Sequence, residues 1–286
     1  MIHTTYSISV VWCVNYELQK DVNPFLMFLK DRFVSKIDPN EYYLSYSGGK
    51  DSHFLYWFIK EFLKEDRIKV VGVNTSFEIP EIRDRILKNS DIVLHPVMNR
   101  WDIKDRYGIP CYTKQQDEYI HRYQTGSRTK NTMNFIMGEN TAIFRLNKKA
   151  REKLLAGELH KISNKCCYYN KELPMIRCGI ELKRKAIIGT RQSESKTRKA
   201  KYKTCLQKTG NFTPIYDFSD ELIDSIYEAY DIEIPKCYDI VMRTGCAGCP
   251  YGRNVVKELE ILPELQRKAV IKYFKESYIV KEIDFK

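Results

Sequence analysis

The sequence predicts an α/β protein, a doubly wound and mainly parallel sheet followed by a C-terminal helical lobe that carries cysteines. Three observations predict it. Short apolar runs alternate with helical stretches from residue 42 onward. Those runs are continuous rather than alternating, as in strands buried on both faces. A glycine pair, Gly48-Gly49, separates the first run from the first helical stretch, which marks a sharp strand-to-helix turn. The chain has 286 residues, 43% of them hydrophobic and 13% aromatic. It can bury such a core, which excludes wholesale disorder.

Taken in order, residues 24–29 and 30–36 read as a helix leading into the first strand, and residues 1–40 as a packing arm. Residues 42–46 are aromatic and apolar enough for a buried strand. Leu55, Phe58, Ile59, Phe62 and Leu63 then recur at helical spacing. Residues 68–73 are β-branched and suit a parallel strand. Pro80 opens a helix over 81–87, and residues 91–95 make a third strand. The polar stretch 114–130 reads as a mobile loop over a ligand, and equally as a plain surface loop. Residues 186–188 form a further strand ending at Gly189. Ser219 is an N-cap for a helix through Tyr230, with Asp220 and Glu221 in its first turn. The expected division is an arm at 1–40, a nucleotide-binding domain at 41–204, and a lobe at 205–286 holding half of a cysteine cluster.

Lysine and arginine number 48 against 37 acidic residues, a net charge of +11. That balance predicts attraction to polyanions such as nucleotides, phosphorylated metabolites or nucleic acid, with the densest basic stretch at 183–203. No run approaches the roughly 20 apolar residues of a membrane span, and residues 1–18 lack a basic leader. The expectation is a cytoplasmic protein with no membrane partner. Nine cysteines, an odd number without a secretion signal, point to metal rather than to disulfides. Cys13, Cys111 and Cys178 read as small core residues.

The glycine turn has the chemistry of a phosphate site. Glycines let backbone N–H groups approach an anion, and the helix that follows presents its unpaired first-turn N–H groups and positive dipole end. Lys50 adds a mobile cation, Ser47 and Ser52 add hydroxyls, and Asp51 adds a carboxylate. The spacing excludes the G-x-x-x-x-G-K-[ST] loop, because no glycine lies at the required upstream place. Ser47-Gly48-Gly49-Lys50-Asp51-Ser52 resembles instead the S-G-G-K-D-S loop of the PP-loop ATP pyrophosphatases.

Further motifs point to the branch of that superfamily containing phosphoadenosine phosphosulfate (PAPS) reductase. The segment Asn74-Thr75-Ser76-Phe77-Glu78-Ile79-Pro80-Glu81 resembles D-T-G-x-x-F-P-E, with asparagine in the aspartate place, and implies Thr75 as a nucleotide contact. Thr190-Arg191-Gln192-Ser193-Glu194-Ser195-Lys196-Thr197-Arg198 follows Gly189 and is similar to G-x-R-x-x-E-S-x-x-R. There Arg191 and Arg198 are implied as anion ligands, bidentate in a way lysine is not. Glu194 orients an arginine or hydroxyl, and Ser195 joins the nucleotide contacts. Thr213 to Glu221 resembles P-I-x-D-W-x-x-x-D, with Phe218 in the tryptophan place, and reads as structural.

The adjacent pair Cys166-Cys167 is followed about 80 residues later by the C-x-x-C of Cys246 and Cys249. This is similar to the four-iron four-sulfur signature of assimilatory adenosine phosphosulfate reductases. Four thiolates serve a 4Fe-4S cluster or a structural zinc equally, and a purely redox C-x-x-C is a further reading. Cys205 and Cys237 are an alternative pair of ligands in place of Cys166 and Cys167, as in the DNA phosphorothioation members.

The resemblance, over residues 42–253, implies an ATP-using enzyme, since the loop is intact where the reductases commonly have a degenerate one. The implied reaction is pyrophosphate release from ATP with Mg²⁺ and adenylation of an acceptor, with Lys50, Asp51 and Arg191 catalytic. The setting is sulfur transfer, with DNA or RNA as acceptor and a sulfur donor such as a cysteine desulfurase. No cysteine follows Cys249, so the E-C-G-x-H nucleophile of the dedicated reductases is not matched. A PAPS or adenosine phosphosulfate reductase with its nucleophile supplied differently is one alternative. A nucleotide-binding regulatory or defence-associated protein without turnover is another.

Overall fold

Strand β1 (Tyr42–Tyr46) forms where its aromatic and apolar residues predict and is buried almost throughout. It pairs in parallel with β2 (Lys69–Val73) and β4 (Lys185–Ile188), so that Leu44 lies between Val70 and Ile187. With β3 (Ile92–Leu94) the sheet has four strands in the order β3-β2-β1-β4. This is an α/β fold built on a parallel sheet. Its strand order steps from β1 to β2 and β3 on one side and to β4 on the other. The crevice beyond the carboxyl ends of β1 and β4 is therefore a topological switch point, where open α/β sheets bind ligands.

The structure is a computed structural model that describes residues 6–138, 145–242 and 244–284, with backbone alone for residues 6–16 and Thr197. The side chain of Cys13, and Arg243 before the C-x-x-C, lie outside the described residues. Helices in chain order are α1 (Tyr6–Lys36), α2 (Lys50–Trp57), α3 (Pro80–Asn89), α4 (Arg100–Tyr107), α5 (Lys114–Gln124) and α6 (Lys130–Met137). They continue as α7 (Lys148–Leu155), α8 (Lys165–Cys167), α9 (Leu173–Leu182), α10 (Lys196–Lys201), α11 (Asp220–Ala229), α12 (Val255–Glu260) and α13 (Glu264–Lys281). Helix α2 runs on into a π-helical turn at Phe58–Phe62, and α8 joins α9 through another at Tyr168–Glu172.

Two compact units share the chain. The first holds residues up to Gly72, Asp84–Leu94 and Met175–Tyr238; the second holds Val73–Arg83, His95–Pro174 and the chain from Asp239. In the first, Val22, Leu26, Leu29 and Phe33 of α1 are buried at helical spacing, and α1 packs along α11. Phe33 meets Phe58 and Phe212 with ring centroids 5.4 and 5.1 Å apart. Arg32 forks onto Asp217 at 2.7 and 2.8 Å. The arm read from the sequence is thus a long helix fastened within the first unit.

In the second unit Ile120, Phe135, Ile136, Leu154 and Ile162 surround the buried Cys111. The stretch 114–130, expected as a loop, is instead α5, a turn and the start of α6. Its polar composition hides one inward face: Asp117 and Ile120 are fully buried, and Thr113 caps the helix by accepting the Gln116 N–H. A capped helix with one buried face needs few apolar residues.

Candidate functional site

The glycine turn closes at the end of β1 and lies wholly in the first unit. Gly48 sits at φ +72°, a left-handed conformation that glycine adopts without a Cβ penalty. Gly49 is the N-cap of α2 and contributes no side-chain oxygen to the first-turn amides. A helix N-terminus left in that state favours an anion through its N–H groups and dipole. The serines brace the turn: Ser52 Oγ donates to the Gly49 carbonyl at 2.9 Å, accepts the Ser47 N–H at 3.2 Å, and lies 3.0 Å from Ser47 Oγ. Tyr238 Oη accepts the Lys50 N–H at 2.7 Å.

Arg191, at the end of β4, reaches this turn. Its Nε donates to Asp51 Oδ1 at 2.9 Å, and its Nη2 lies 2.9 Å from Asp51 Oδ1 and 2.6 Å from Asp220 Oδ1. Nη1 donates to Ser193 Oγ at 3.1 Å. Arg191 is only 5% exposed; burial works against its charge, and Asp51 and Asp220 outweigh that and hold it. Burial also pushes the Asp51 carboxyl up, against the pull of Arg191. Glu194 accepts the Arg191 N–H at 2.9 Å and pairs with Arg198. Ser195 accepts the Arg198 N–H at 3.2 Å as the cap of α10. A Cβ on Gly189 would lie 3.0 Å from the Asp51 backbone. The close approach of β4's end to the start of α2 thus depends on a glycine there.

The sequence reading missed the contribution of α11. Asp220, Asp224 and Tyr227 fall on one face of that helix. Lys50 pairs with Asp224 and lies 5.5 Å from the Tyr227 ring centroid, and Tyr227 Oη donates to the Lys50 carbonyl at 2.7 Å. Burial lowers the Lys50 ammonium, partly offset by Asp51. The signal was there in the spacing of Asp220, Asp224 and Tyr227 behind a Ser219 cap, but that segment reads equally well as packing.

All four candidate metal cysteines lie in the second unit. Cys166 is 5% exposed, and its thiol is raised by burial and then by Cys246. Burial pushes Cys167 up to about 11, with Cys246 and Cys166 adding to it and Lys114 opposing. Cys249 is raised well above the usual thiol range by burial, Cys246, Cys167 and Cys166. The C-x-x-C turn is pinned: Ala247 donates to the Phe77 carbonyl at 2.6 Å and Gly248, at φ +68°, donates to Glu258 at 2.8 Å. Thr75, expected as a nucleotide contact, is placed here. Its hydroxyl donates to Glu78 Oε1 at 2.6 Å and lies 3.6 Å from Cys246 Sγ.

Cationic groups surround these thiols. Lys171 faces Cys246 and lies 3.7 Å from Glu78. Burial opposes its charge, yet Cys246, Glu78 and Cys167 more than offset that. Arg100 stands 3.5 Å over the Phe77 ring, lowers the Cys166 thiol, and has a buried Nη1 with no partner among the described residues. Asn170 donates to Cys166 Sγ at 3.2 Å.

In fold, the chain is similar to a PAPS reductase. A phosphoadenylyl-sulfate (PAPS) reductase from Candida auris, in a phosphate complex, matches at 10% identity and a TM-score of 0.41, over 83% of this chain and 94% of that one. The U34-tRNA thiolase NcsA from Methanococcus maripaludis, with its 4Fe-4S cluster, matches at 12% identity and a TM-score of 0.34, over 99% of this chain and 84% of that one. At these TM-scores neither likeness bears on the function. No protein-family profile and no curated protein matches the chain.

Among the described residues no three His, Cys, Asp or Glu side chains converge on a single ion's position. The fit to a cluster is one of donor chemistry and charge: four thiols that sense one another, ringed by Lys171, Arg100 and Lys114, suit an anionic thiolate-ligated group. Cys205 and Cys237 belong to the first unit, where Cys237 is buried. The cysteines that act on Cys249, beyond burial, are Cys246, Cys167 and Cys166. Cys178 packs with Tyr43, Val71 and Ala186, and burial raises its thiol, as befits a core residue. No helix among the described residues is long and apolar enough to cross a membrane.

Proposed function

We propose that this chain is a PP-loop ATP pyrophosphatase of the PAPS reductase type, which binds ATP, releases pyrophosphate and adenylates an acceptor in sulfur transfer of the nucleic-acid thiolation or phosphorothioation kind. The observation that supports this most strongly is the meeting of Arg191 with Asp51, 140 positions apart, beside a helix start whose N-cap residue supplies no side-chain oxygen, at the sheet's switch point. A solvated charged loop gains nothing from burying a guanidinium there.

The loop amides, the α2 N-terminus and Lys50 hold the terminal phosphates. Arg191, its fork shared between Asp51 and Asp220, faces the developing charge. An acceptor oxygen attacks the α-phosphorus, the bond between the α-phosphorus and the bridging oxygen breaks, and pyrophosphate leaves with the electron pair. Catalysis is positioning plus electrostatic stabilisation. Asp51 and Asp220 are the carboxylates that would hold Mg²⁺, which would supply charge neutralisation at the leaving group when bound. Cys166, Cys167, Cys246 and Cys249 would hold a four-iron cluster, which supplies sulfur-binding iron when bound; Lys171 and Arg100 balance its charge. A sulfur donor such as a cysteine desulfurase completes the scheme.

The test is pyrophosphate release from Mg²⁺-ATP, and transfer of labelled AMP to the acceptor, with tRNA or single-stranded DNA present. Lys50→Ala and Arg191→Ala should each cut the rate by roughly 10²- to 10³-fold. Undiminished release from either variant sinks the proposal, whereas tight ATP binding without any release favours a regulatory nucleotide-binding role.

A further inference from the structure

The second unit holds a cavity of about 310 Å³ that none of the candidate site residues lines. One wall is a single face of α5, where Lys114, Glu118, His121 and Arg122 stand at helical spacing. Opposite are Asn164, Lys165, Tyr168 and Glu172, on the turns that begin with α8. The volume lies near the lower end of the ligand-pocket range of about 300–1,000 Å³. It suits a ligand the size of one nucleotide.

The lining sorts into two chemistries. Tyr168 and His121 are flat rings, and burial and Lys165 lower His121, so it stands as a neutral imidazole at physiological pH. Three cations face two carboxylates. Lys114 Nζ bonds Glu172 at 3.3 Å and Arg122 Nη2 bonds Glu118 at 2.5 Å. Lys165 Nζ has no carboxylate partner among the described residues and lies 5.6 Å from the Tyr168 ring centroid. A cation beside an aromatic face accepts a phosphate with a stacked base; single-stranded nucleic acid is held in the same way. Lys114 also acts on Cys167, so the pocket adjoins the cysteine pair.

We propose that this cavity binds one nucleotide, free or within a single strand, with its base on Tyr168 and its phosphate on Lys165. The binding stands apart from ATP use at the glycine turn. Taken with the proposed function, it holds one nucleotide of the nucleic-acid partner within the second unit.

The experiment titrates the full-length protein with uridine 5′-monophosphate, a labelled single-stranded RNA nonamer, and inorganic phosphate. Saturable binding of either nucleotide probe, at least tenfold tighter than phosphate, is expected. Tyr168→Ala should weaken it roughly tenfold and Tyr168→Phe should preserve it. Lys165→Gln should lower the salt slope of oligonucleotide binding by about one. Saturating pyrophosphate, which competes for the glycine turn, should leave it unchanged, which separates this pocket from that turn. A preference for the monophosphate marks a free nucleotide and a preference for the nonamer marks a strand. Equal binding of phosphate and nucleotide overturns the proposal. So does wild-type affinity in both Tyr168→Ala and Lys165→Gln with thermal melts unchanged.

Discussion

At the scale of the residue, Arg191 is the side chain on which the first constellation turns. It is buried, it forks between Asp51 and Asp220, and its backbone N–H is held by Glu194. Lysine would keep the charge and lose the fork, because an ammonium is a point donor without planar geometry. Arg191→Lys should therefore reduce ATP affinity and pyrophosphate release by at least tenfold while shifting thermal stability little. Calorimetric titration with Mg²⁺-ATP checks it, and a lysine variant with wild-type affinity would show that charge alone suffices. Lys50 sits differently: its partner Asp224 is largely exposed. Such a pair is worth little in stability, so a phosphate binding there would displace the carboxylate at small cost.

At the scale of the element, α5 and the turn after the C-x-x-C are tied by a buried carboxylate. Asp117 accepts the Cys111 and Tyr112 N–H groups at 2.6 and 3.0 Å and the Tyr251 hydroxyl at 2.8 Å. Burial pushes its carboxyl up to about 6 despite those donors, above the roughly 4 of an unfolded chain. The folded state therefore holds that proton more tightly. Its contribution is fully present below about pH 4 and is lost as the pH rises through about 6, a change of about 2–3 kcal/mol. Asp117→Asn should be less stable overall, since an amide nitrogen does not accept these bonds. It should also lack that slope between pH 4 and 6. Urea midpoints of both proteins across this range decide it, and parallel slopes would refute the assignment. Helix α11 shows the same economy: its Ser219 cap, a type of contact worth about 1 kcal/mol, starts the helix that presents Asp220 and Asp224.

At the scale of the whole molecule, the four cysteines and the net charge of +11 set the expected behaviour. Protein purified without oxygen should carry four irons and four sulfides per chain, and Cys246→Ser or Cys249→Ser should lose both. Elemental and sulfide analysis measures this; stoichiometric zinc without sulfide would replace the cluster by a structural ion. Glycine turn, strand rhythm and the C-x-x-C were legible because each is local: a φ that needs glycine, a run that needs burial, two cysteines with two residues between them. The inward face of α5 was not legible, because Asp117 is polar by type and buried only through donors from Cys111, Tyr112 and Tyr251.

Residue order alone settled the parallel α/β class and the sharp glycine turn at residues 47–52, since backbone sterics and apolar periodicity act over a few positions. Tertiary structure decided the company each group keeps. It set Arg191 and Asp220 against Asp51, gave Lys50 to Asp224, and placed Thr75 beside Cys246. Those meetings arise from strand order and helix docking between segments far apart in the chain, which no local pattern encodes.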